Sequence, residues 1–205
     1  MLGTSQDQPS GLRERKKART RAALREHALR LFREQGYQAT TVEQIAAAAD
    51  VSPSTFFRYF PSKEDLVLQD DMDTRMLAAL VRQPAGLAPV AAIRAATREA
   101  LGSYTGADLD LLRENLILTL TVPEVRARAF DEFARSIRVM SEALARRAGR
   151  PADDLAIRTI AGATIGVVMS IAMPWDGTGA DGQGIEEMFQ RIDEALALLE
   201  AGLPL

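Results

Sequence analysis

The sequence predicts an all-α protein from the spacing of its apolar residues, and its length and composition set the size and the broad class of the chain. Apolar residues recur with the 3.6-residue period of a helix along almost the whole chain, and no segment shows the sustained alternation of a half-buried strand. The 205 residues are enough for one large domain or two small ones with a substantial core. Apolar residues make up 47% of the chain and charged residues 26%, a balance that disfavours disordered, collagen-like and multi-pass membrane proteins.

The N-terminal part of the chain is strongly basic. Residues 1–12 lack the basic start and apolar stretch of a secretory signal, and we expect them to form a disordered arm. Helix 1 follows and ends near Gly36. Between Gly11 and Arg33 there are nine Lys or Arg and two acids, whereas from Leu66 onward there are 20 acids and 14 bases. This asymmetry indicates either a nucleic-acid-binding module joined to a second domain or a solvated helix face.

Two short helices follow helix 1, each with its own start signal. Helix 2 begins at a capping box over residues 40–43, in which Glu43 reaches back to the cap. Ser52 and Pro53 are an N-cap and a first-turn proline, so they start helix 3, which ends before Pro61. The three-residue connection between the two helices predicts a helix-turn-helix, whose second helix lies in the DNA major groove.

Helix 3 carries four aromatic side chains in five positions, which is more than so short a helix can bury. Phe56 and Phe60 are one turn apart and should face the core. Phe57 and Tyr59 then point toward a partner or toward solvent.

The rest of the chain continues as helices. A fourth helix starts at Ser62, and a long one runs from Pro123 to Gly149. The uncharged run 159–173 has 15 residues, fewer than the roughly 20 that a bilayer requires, so we expect a buried helix and no membrane segment. The glycine-rich stretch 174–184 follows no strand, and we interpret it as a mobile loop rather than a phosphate-binding loop.

Residue types needed for catalysis or metal binding are scarce. The chain has no cysteine, and its single histidine, His27, lies among apolar residues of helix 1 without a second candidate ligand. We interpret His27 as a partly buried structural residue. Because no nucleophile is paired with a base, we predict no catalytic site and no enzymatic activity. We also predict no metal and no cofactor. Since the sequence shows neither a secretory signal nor a membrane-length apolar run, we predict a cytoplasmic location.

Residues 41–66, TVEQIAAAADVSPSTFFRYFPSKEDL, resemble the DNA-binding domain of the TetR family of bacterial transcriptional regulators. The resemblance extends from about Arg13 to Leu66 and includes helix 1, the turn and the Phe-Pro-Ser-Lys exit in register. It implies a helix-turn-helix DNA-binding domain at residues 13–62 and a helical effector-binding and dimerisation domain at residues 63–205.

The resemblance also implies roles for residues around helix 3. Its first turn would make base-edge contacts, and Phe57, where the family more often has tyrosine, keeps an apolar contact with a thymine methyl. Lys63 resembles the family's phosphate-binding lysine, and the basic start of helix 1 would lie over the backbone. The candidate DNA-binding residues are Arg13, Arg15, Lys16, Lys17, Thr41, Ser52, Pro53, Ser54, Thr55, Phe57, Arg58, Tyr59 and Lys63.

By the same resemblance, the later helices enclose an apolar cavity for a small effector; the alternative is that their apolar residues are simply core. No run of charges points to an ionic ligand, so we expect a mostly apolar one. The polar candidates Tyr104, Asn115 and Thr164 would orient the ligand or bond a neighbouring helix. The candidate ligand-binding residues are Leu101, Tyr104, Leu112, Asn115, Leu116, Phe130, Phe133, Ile137, Thr164 and Val168.

The last two helices resemble the pair that dimerises in the family. Gly162 and Gly166 are about one turn apart, which would let another helix approach closely. The candidate interface residues are Ile160, Gly162, Gly166, Met188, Phe189, Ile192 and Leu196; the alternative is packing within one chain.

The resemblance therefore implies a homodimeric regulator of double-stranded operator DNA, a repressor released by its effector as is most common in the family. The alternatives are a regulator without a ligand, an activator, or a helical enzyme that uses the second domain's cavity.

Overall fold

The protein is described here by a computed structural model, which describes residues 8–68, 72–173 and 184–204, without the side chains of residues 8–10, 12, 14 and 73. Within these ranges the chain forms ten α-helices and no strand, which confirms the all-α prediction. The chain divides between Val67 and Leu68 into two compact units, each with its own contacts.

The first unit contains a long helix followed by three short ones. These are α1 (Gln8–Gln35), α2 (Val42–Ala48), α3 (Pro53–Tyr59) and α4 (Lys63–Leu68). Helix α1 therefore includes residues 8–12 of the arm that we expected to be disordered, and residues 1–7 lie outside the described part. Pro9 does not prevent this early start, because a proline in the first helical turn sacrifices no intrahelical hydrogen bond.

The capping box of α2 lies one residue later than predicted. Thr41 is the N-cap, and its partner is Gln44 rather than Glu43. The reason lies in Thr40, which is buried and whose hydroxyl donates to the Gly36 carbonyl at 2.8 Å. Its side chain is therefore committed to the end of α1, and the next threonine caps α2.

The second unit consists of six helices. They are α5 (Met72–Arg82), α6 (Pro89–Gly102), α7 (Gly106–Thr121), α8 (Pro123–Ala148), α9 (Leu155–Ala172) and α10 (Ile185–Glu200). Its core joins buried side chains from five of them, among them Leu80, Ile93, Leu144, Ile157 and Leu196. Helix α8 ends as predicted, because Gly149 adopts a φ of +63° that L side chains rarely adopt.

Helix α9 differs from the buried helix that we expected. Only three of its 18 residues, Ile157, Ala161 and Thr164, are buried, and Leu155 is 81% exposed. It is the one helix of the described part that is long and apolar enough by composition to cross a membrane. The expectation of burial was wrong because an uncharged sequence does not reveal whether its covering surface lies in the same chain. The predicted mobile loop falls mostly on residues 174–183, outside the described residues.

Candidate functional site

The turn between α2 and α3 is fixed by backbone hydrogen bonds at the end of α2. The Val51 amide donates to the Ala46 carbonyl at 2.9 Å, and the Asp50 amide donates to the Ala47 carbonyl at 3.1 Å. This is a Schellman motif, with Asp50 in the left-handed region at a φ of +52°. Aspartate tolerates that conformation better than most residues do. The short reversal produces the predicted helix-turn-helix.

Three hydroxyl groups meet at the N-terminus of α3. Ser52 Oγ accepts a hydrogen bond from the Thr55 amide at 3.1 Å, which caps the helix. The same Oγ lies 2.9 Å from Ser54 Oγ and 3.0 Å from Thr55 Oγ1. The cluster lies at the surface, so these hydroxyls can exchange partners with an approaching molecule.

The aromatic residues of α3 divide into a buried pair and an outward pair. Phe56 and Phe60 are fully buried, with ring centroids 5.8 Å apart, as the sequence predicted. Phe57 is 52% exposed, whereas Tyr59 is half-buried, with the Arg58 guanidinium 5.4 Å from its ring. The buried pair fastens one side of the helix and leaves Phe57 and Arg58 on the outer side.

Lys63 makes contacts within its own unit. Its Nζ donates to the carbonyls of Tyr37 at 2.8 Å and Thr40 at 2.9 Å, and it lies 4.0 Å from the centroid of the Tyr37 ring. An ammonium has three N–H donors, so these carbonyls occupy two of them. Lys63 therefore holds the loop between α1 and α2, a role that the sequence analysis missed.

Tyr37 and Glu64 complete this cluster around Lys63. The Tyr37 hydroxyl donates to Glu64 Oε1 at 2.8 Å. Burial of Glu64 opposes its ionisation, but hydrogen bonds from its own backbone, Ser62 and Tyr37, together with the Lys63 charge, lower its pKa below the usual value. No local sequence signal joins Tyr37 to residues more than 25 positions away.

The basic residues of α1 have two different surroundings. The predicted DNA-binding side chains Arg13, Lys16 and Lys17 are exposed. Arg21 instead lies against the fold, with its guanidinium carbon 4.6 Å from the centroid of Phe60. Arg25 is also turned inward, and its Nε donates to the Leu66 carbonyl at 3.4 Å. Only part of the basic stretch is therefore available to a partner.

In the second unit, a cleft of about 420 Å³ lies between α6, α7 and α10. It includes one predicted ligand residue, Leu101, and one predicted interface residue, Phe189. The residues that line it are Thr97, Arg98, Leu101, Leu109, Glu186, Phe189, Gln190 and Asp193.

Two other predicted ligand residues each carry a buried side-chain atom for which the described part of the chain supplies no hydrogen-bond partner. Asn115 is 5% exposed and Thr164 is 2% exposed. Neither Asn115 Oδ1 nor Thr164 Oγ1 has a hydrogen-bond partner within the described residues. An unsatisfied buried polar group costs about 1–3 kcal/mol, so these two atoms are sites where a ligand's hydrogen bond would be favourable.

The remaining predicted ligand residues do not converge on one described cavity. Leu112, Leu116, Ile137 and Val168 are half-buried and pack against the core of the second unit. The Arg75 guanidinium lies 4.4 Å from the Tyr104 ring. Phe133 is half-buried and meets the ring of its neighbour Phe130 edge-on at 6.2 Å.

The structure differs from the prediction at Phe130 and at three of the predicted interface residues. Phe130 is 57% exposed, so in the single chain it does not line an interior cavity. Met188, Ile192 and Leu196 are buried in the core of their own unit, because the apolar stripe of α10 packs inward. This is the packing within one chain that the sequence left open.

The two predicted interface glycines on α9 lie toward the surface, since Gly162 is half-buried and Gly166 is exposed. Ile160 is half-buried as well, but it packs against the core of its own unit. A Cβ added at either glycine would meet no atom of the described residues within 4 Å. Packing within the described part of the chain therefore does not require glycine at these two positions.

His27 is half-buried, as predicted, but one of its ring nitrogens lacks a hydrogen bond within the described residues. It lies on α1, and its Nδ1 is buried without a hydrogen-bond partner in the described part of the chain. No group of three or more potential metal ligands occurs among the described residues.

Two protein-family profiles match the chain. The profile of bacterial regulatory proteins of the tetR family matches residues 24–69, and that of the MftR C-terminal domain matches residues 87–204. The second match alone spans more than half of the chain.

Two curated relatives are named as transcriptional regulators. The HTH-type transcriptional regulator TcmR of Streptomyces glaucescens is 49% identical over 102 residues, which are 49% of this chain and 45% of TcmR. That match therefore spans less than half of the relative's length. MftR of Mycobacterium tuberculosis, named as a mycofactocin biosynthesis transcriptional regulator, is 28% identical over 164 residues, 78% of this chain and 82% of MftR.

Solved structures are similar to the chain over most of its length. FadR of Thermus thermophilus, a TetR-family transcriptional repressor in complex with lauroyl-CoA, is 29% identical and superposes with a TM-score of 0.57, covering 90% of this chain and 95% of FadR. A regulator from Syntrophomonas wolfei has the same fold, with a TM-score of 0.61 at 19% identity, over 92% of this chain and 98% of its own. With both profiles matched in order, the chain belongs to the TetR family of DNA-binding transcriptional regulators.

Proposed function

We propose that this protein is a homodimeric repressor that leaves its operator when a small, mostly apolar effector binds to residues 63–205. The observation that carries the proposal is the outer side of α3. The buried Phe56 and Phe60 fasten the helix, so that its hydroxyl-bearing first turn, Phe57 and Arg58 remain accessible. A helix held in this way can enter the DNA major groove with its first turn toward the bases.

The DNA contacts divide into two classes. Ser52, Pro53, Ser54 and Thr55 at the start of α3 approach base edges, and Phe57 packs against a thymine methyl, so these residues select the sequence. The others are contacts to the sugar-phosphate backbone and the groove, which supply affinity for any sequence. They are Arg13, Arg15, Lys16, Lys17, Thr41, Arg58, Tyr59 and Lys63.

A second copy of the chain covers the exposed apolar side of α9. Leu155 lies at the start of that side, and Gly162 and Gly166 continue it at helical spacing. Ile160 lies outside it, because it packs against the core of its own unit. A two-fold dimer presents two copies of α3, which must be about 34–36 Å apart to enter successive major grooves. Because the partner is chromosomal operator DNA, we place the protein in the cytoplasm.

The effector site includes the two unsatisfied buried atoms, Asn115 Oδ1 and Thr164 Oγ1. The relative FadR was solved with lauroyl-CoA, and an apolar residue lies one helical turn from each of the two residues, Leu112 from Asn115 and Val168 from Thr164. We therefore propose an effector with an apolar chain and a polar group that bonds these atoms. It favours a dimer whose α3 helices are wrongly spaced for the operator, which lowers the affinity for DNA.

The test is a binding titration with the gene's own upstream DNA. Fluorescence anisotropy at fixed salt should show a sequence-selective complex that lauroyl-CoA dissociates, whereas coenzyme A alone has no effect. Failure to bind any genomic fragment at low salt would contradict the proposal. A complex that resists every acyl-CoA and apolar metabolite would instead support a regulator without a ligand.

A further inference from the structure

The cleft between α6, α7 and α10 has an apolar floor. Leu101, Leu109 and Phe189 come from three different helices, and each is half-buried. Small-molecule sites in helical proteins usually lie in concave apolar surfaces between helices. Its volume of about 420 Å³ lies within the range of such sites.

The positive charge beside the cleft is already neutralised. Arg94 binds both oxygens of Asp193, at 3.2 and 3.1 Å, and Glu200 at 2.6 Å. Arg98 binds Asp193 as well, at 2.6 Å. Burial raises the pKa of Asp193, but the two arginines outweigh it and keep the pKa below the usual value, so the carboxylate stays charged. An anionic ligand would have to displace Asp193 from Arg98.

Glu186 has different surroundings from Asp193. It lies in the first turn of α10, is exposed, and forms no salt bridge with any residue that the structure describes. Phe189 follows it by three positions, so the carboxylate and the ring are neighbours on one side of the helix. The cleft therefore combines an apolar floor, an aromatic ring and a carboxylate whose charge is not balanced by an arginine.

We propose that this cleft binds an amphipathic cation, with its apolar body on Leu101, Leu109 and Phe189 and its ammonium group at Glu186. The carboxylate supplies Coulomb attraction, and the ring face of Phe189 adds a cation–π contact. This site is separate from the proposed effector site at Asn115 and Thr164. Binding of a cation here does not depend on whether that cation changes the affinity for DNA.

Three probes that share an eight-carbon chain and differ in the charge of the head group test the proposal. Their binding to the full-length protein is measured by calorimetry in the absence of DNA. Octylammonium should bind saturably, and octanol and octanoate at least about tenfold more weakly, because only the cation is attracted to Glu186. Equal binding of octanoate and octylammonium, or no binding of octylammonium, would overturn the proposal.

A matched pair of variants tests the role of the carboxylate. Glu186→Gln keeps the shape of the side chain and should weaken octylammonium binding about three- to fivefold. Glu187→Gln removes a charge from the same helical turn, but Glu187 does not line the cleft, so binding should change by less than about twofold. If the two variants weaken binding equally, the attraction comes from the general charge of α10 and the assigned site is wrong.

Discussion

Lys63 is a single side chain on which both the fold and the proposed DNA contact depend. Its ammonium group donates hydrogen bonds to two carbonyls of the loop before α2. The neighbouring Glu64 accepts a hydrogen bond from the Tyr37 hydroxyl. The loop positions Thr41, the N-cap of α2, at the surface where a phosphate contact is proposed. One residue can therefore influence DNA binding through the position of α2 as well as through its own charge.

The substitution Lys63→Ala separates these two contributions. Loss of the hydrogen bonds to Tyr37 and Thr40 should destabilise the protein by about 1–3 kcal/mol, measured by urea unfolding. If the ammonium also contacts a phosphate, the slope of log K against log salt should fall by about one unit on every DNA sequence. A loss of stability with an unchanged slope would leave Lys63 with its structural role alone.

The lowered pKa of Glu64 predicts how the stability of this cluster changes at acidic pH. Its pKa in the folded protein lies below the usual value, so its ionised form contributes stability above about pH 4.5, the value expected for the unfolded chain. That contribution is lost as the pH falls through the lower folded pKa. Glu64→Gln should therefore be less stable than the wild type at pH 7 and should differ less from it at pH 3, in urea unfolding followed by circular dichroism. An equal difference at both pH values would contradict this account.

At the scale of helices, α3 has two sides that depend on different interactions. Its inner side packs Phe56 and Phe60 into the first unit, and its outer side presents Phe57. Phe57 also touches Phe56, with ring centroids 5.4 Å apart, but it remains half in solvent. Neighbouring phenylalanines on one helix should therefore affect stability and DNA recognition separately.

The variants Phe56→Ala and Phe57→Ala test this division. Phe56→Ala should cost about 3–5 kcal/mol of unfolding free energy, because it leaves a cavity in a fully buried position. Phe57→Ala should change stability by less than about 0.5 kcal/mol yet reduce the preference for a thymine-containing site in competition binding. If Phe57→Ala instead lost the stability and Phe56→Ala lost the site preference, the buried and outer sides of α3 would be the opposite of those in the structure.

Local signals explain why these helices were predictable and why their connections were not. Ser52, Pro53 and Phe56 act within one or two turns, so the sequence predicts where α3 begins and which side is buried. The capping box of α2 was misplaced by one residue because Thr40 is engaged by Gly36, a contact that exists only once α1 has ended. The Lys63 cluster joins residues from both ends of the motif, and no periodicity encodes such a pairing.

At the scale of the whole molecule, α9 and α10 show what an apolar pattern leaves undecided. Both helices carry apolar residues at helical spacing, yet α10 buries Met188, Ile192 and Leu196 within its own chain. Helix α9 leaves most of its residues partly or fully exposed. Hydrophobicity predicts that a surface will be covered but does not say whether the same chain or a second copy covers it.

Gly166 on α9 provides the test of the proposed dimer. A Cβ at this position meets no atom within 4 Å among the residues that the structure describes, so Gly166→Leu should fold. The higher helix propensity of leucine favours the helix by up to about 1 kcal/mol. In a dimer that brings a second helix against this glycine, the added side chain would hold the helices apart. Analytical ultracentrifugation should then show a shift toward monomer, and affinity for the operator should fall because one copy of α3 cannot engage two half-sites.

Gly102→Leu is the matched control for this prediction, because an added Cβ on α6 likewise meets no described atom within 4 Å and the position lies outside the proposed interface. It should leave both the mass in solution and DNA affinity unchanged. A dimer that persists in Gly166→Leu with wild-type affinity would show that α9 pairs through another side or not at all. Because the substitution preserves the chain's own packing, such a result could not be attributed to misfolding, and the exposed apolar side of α9 would need a different partner.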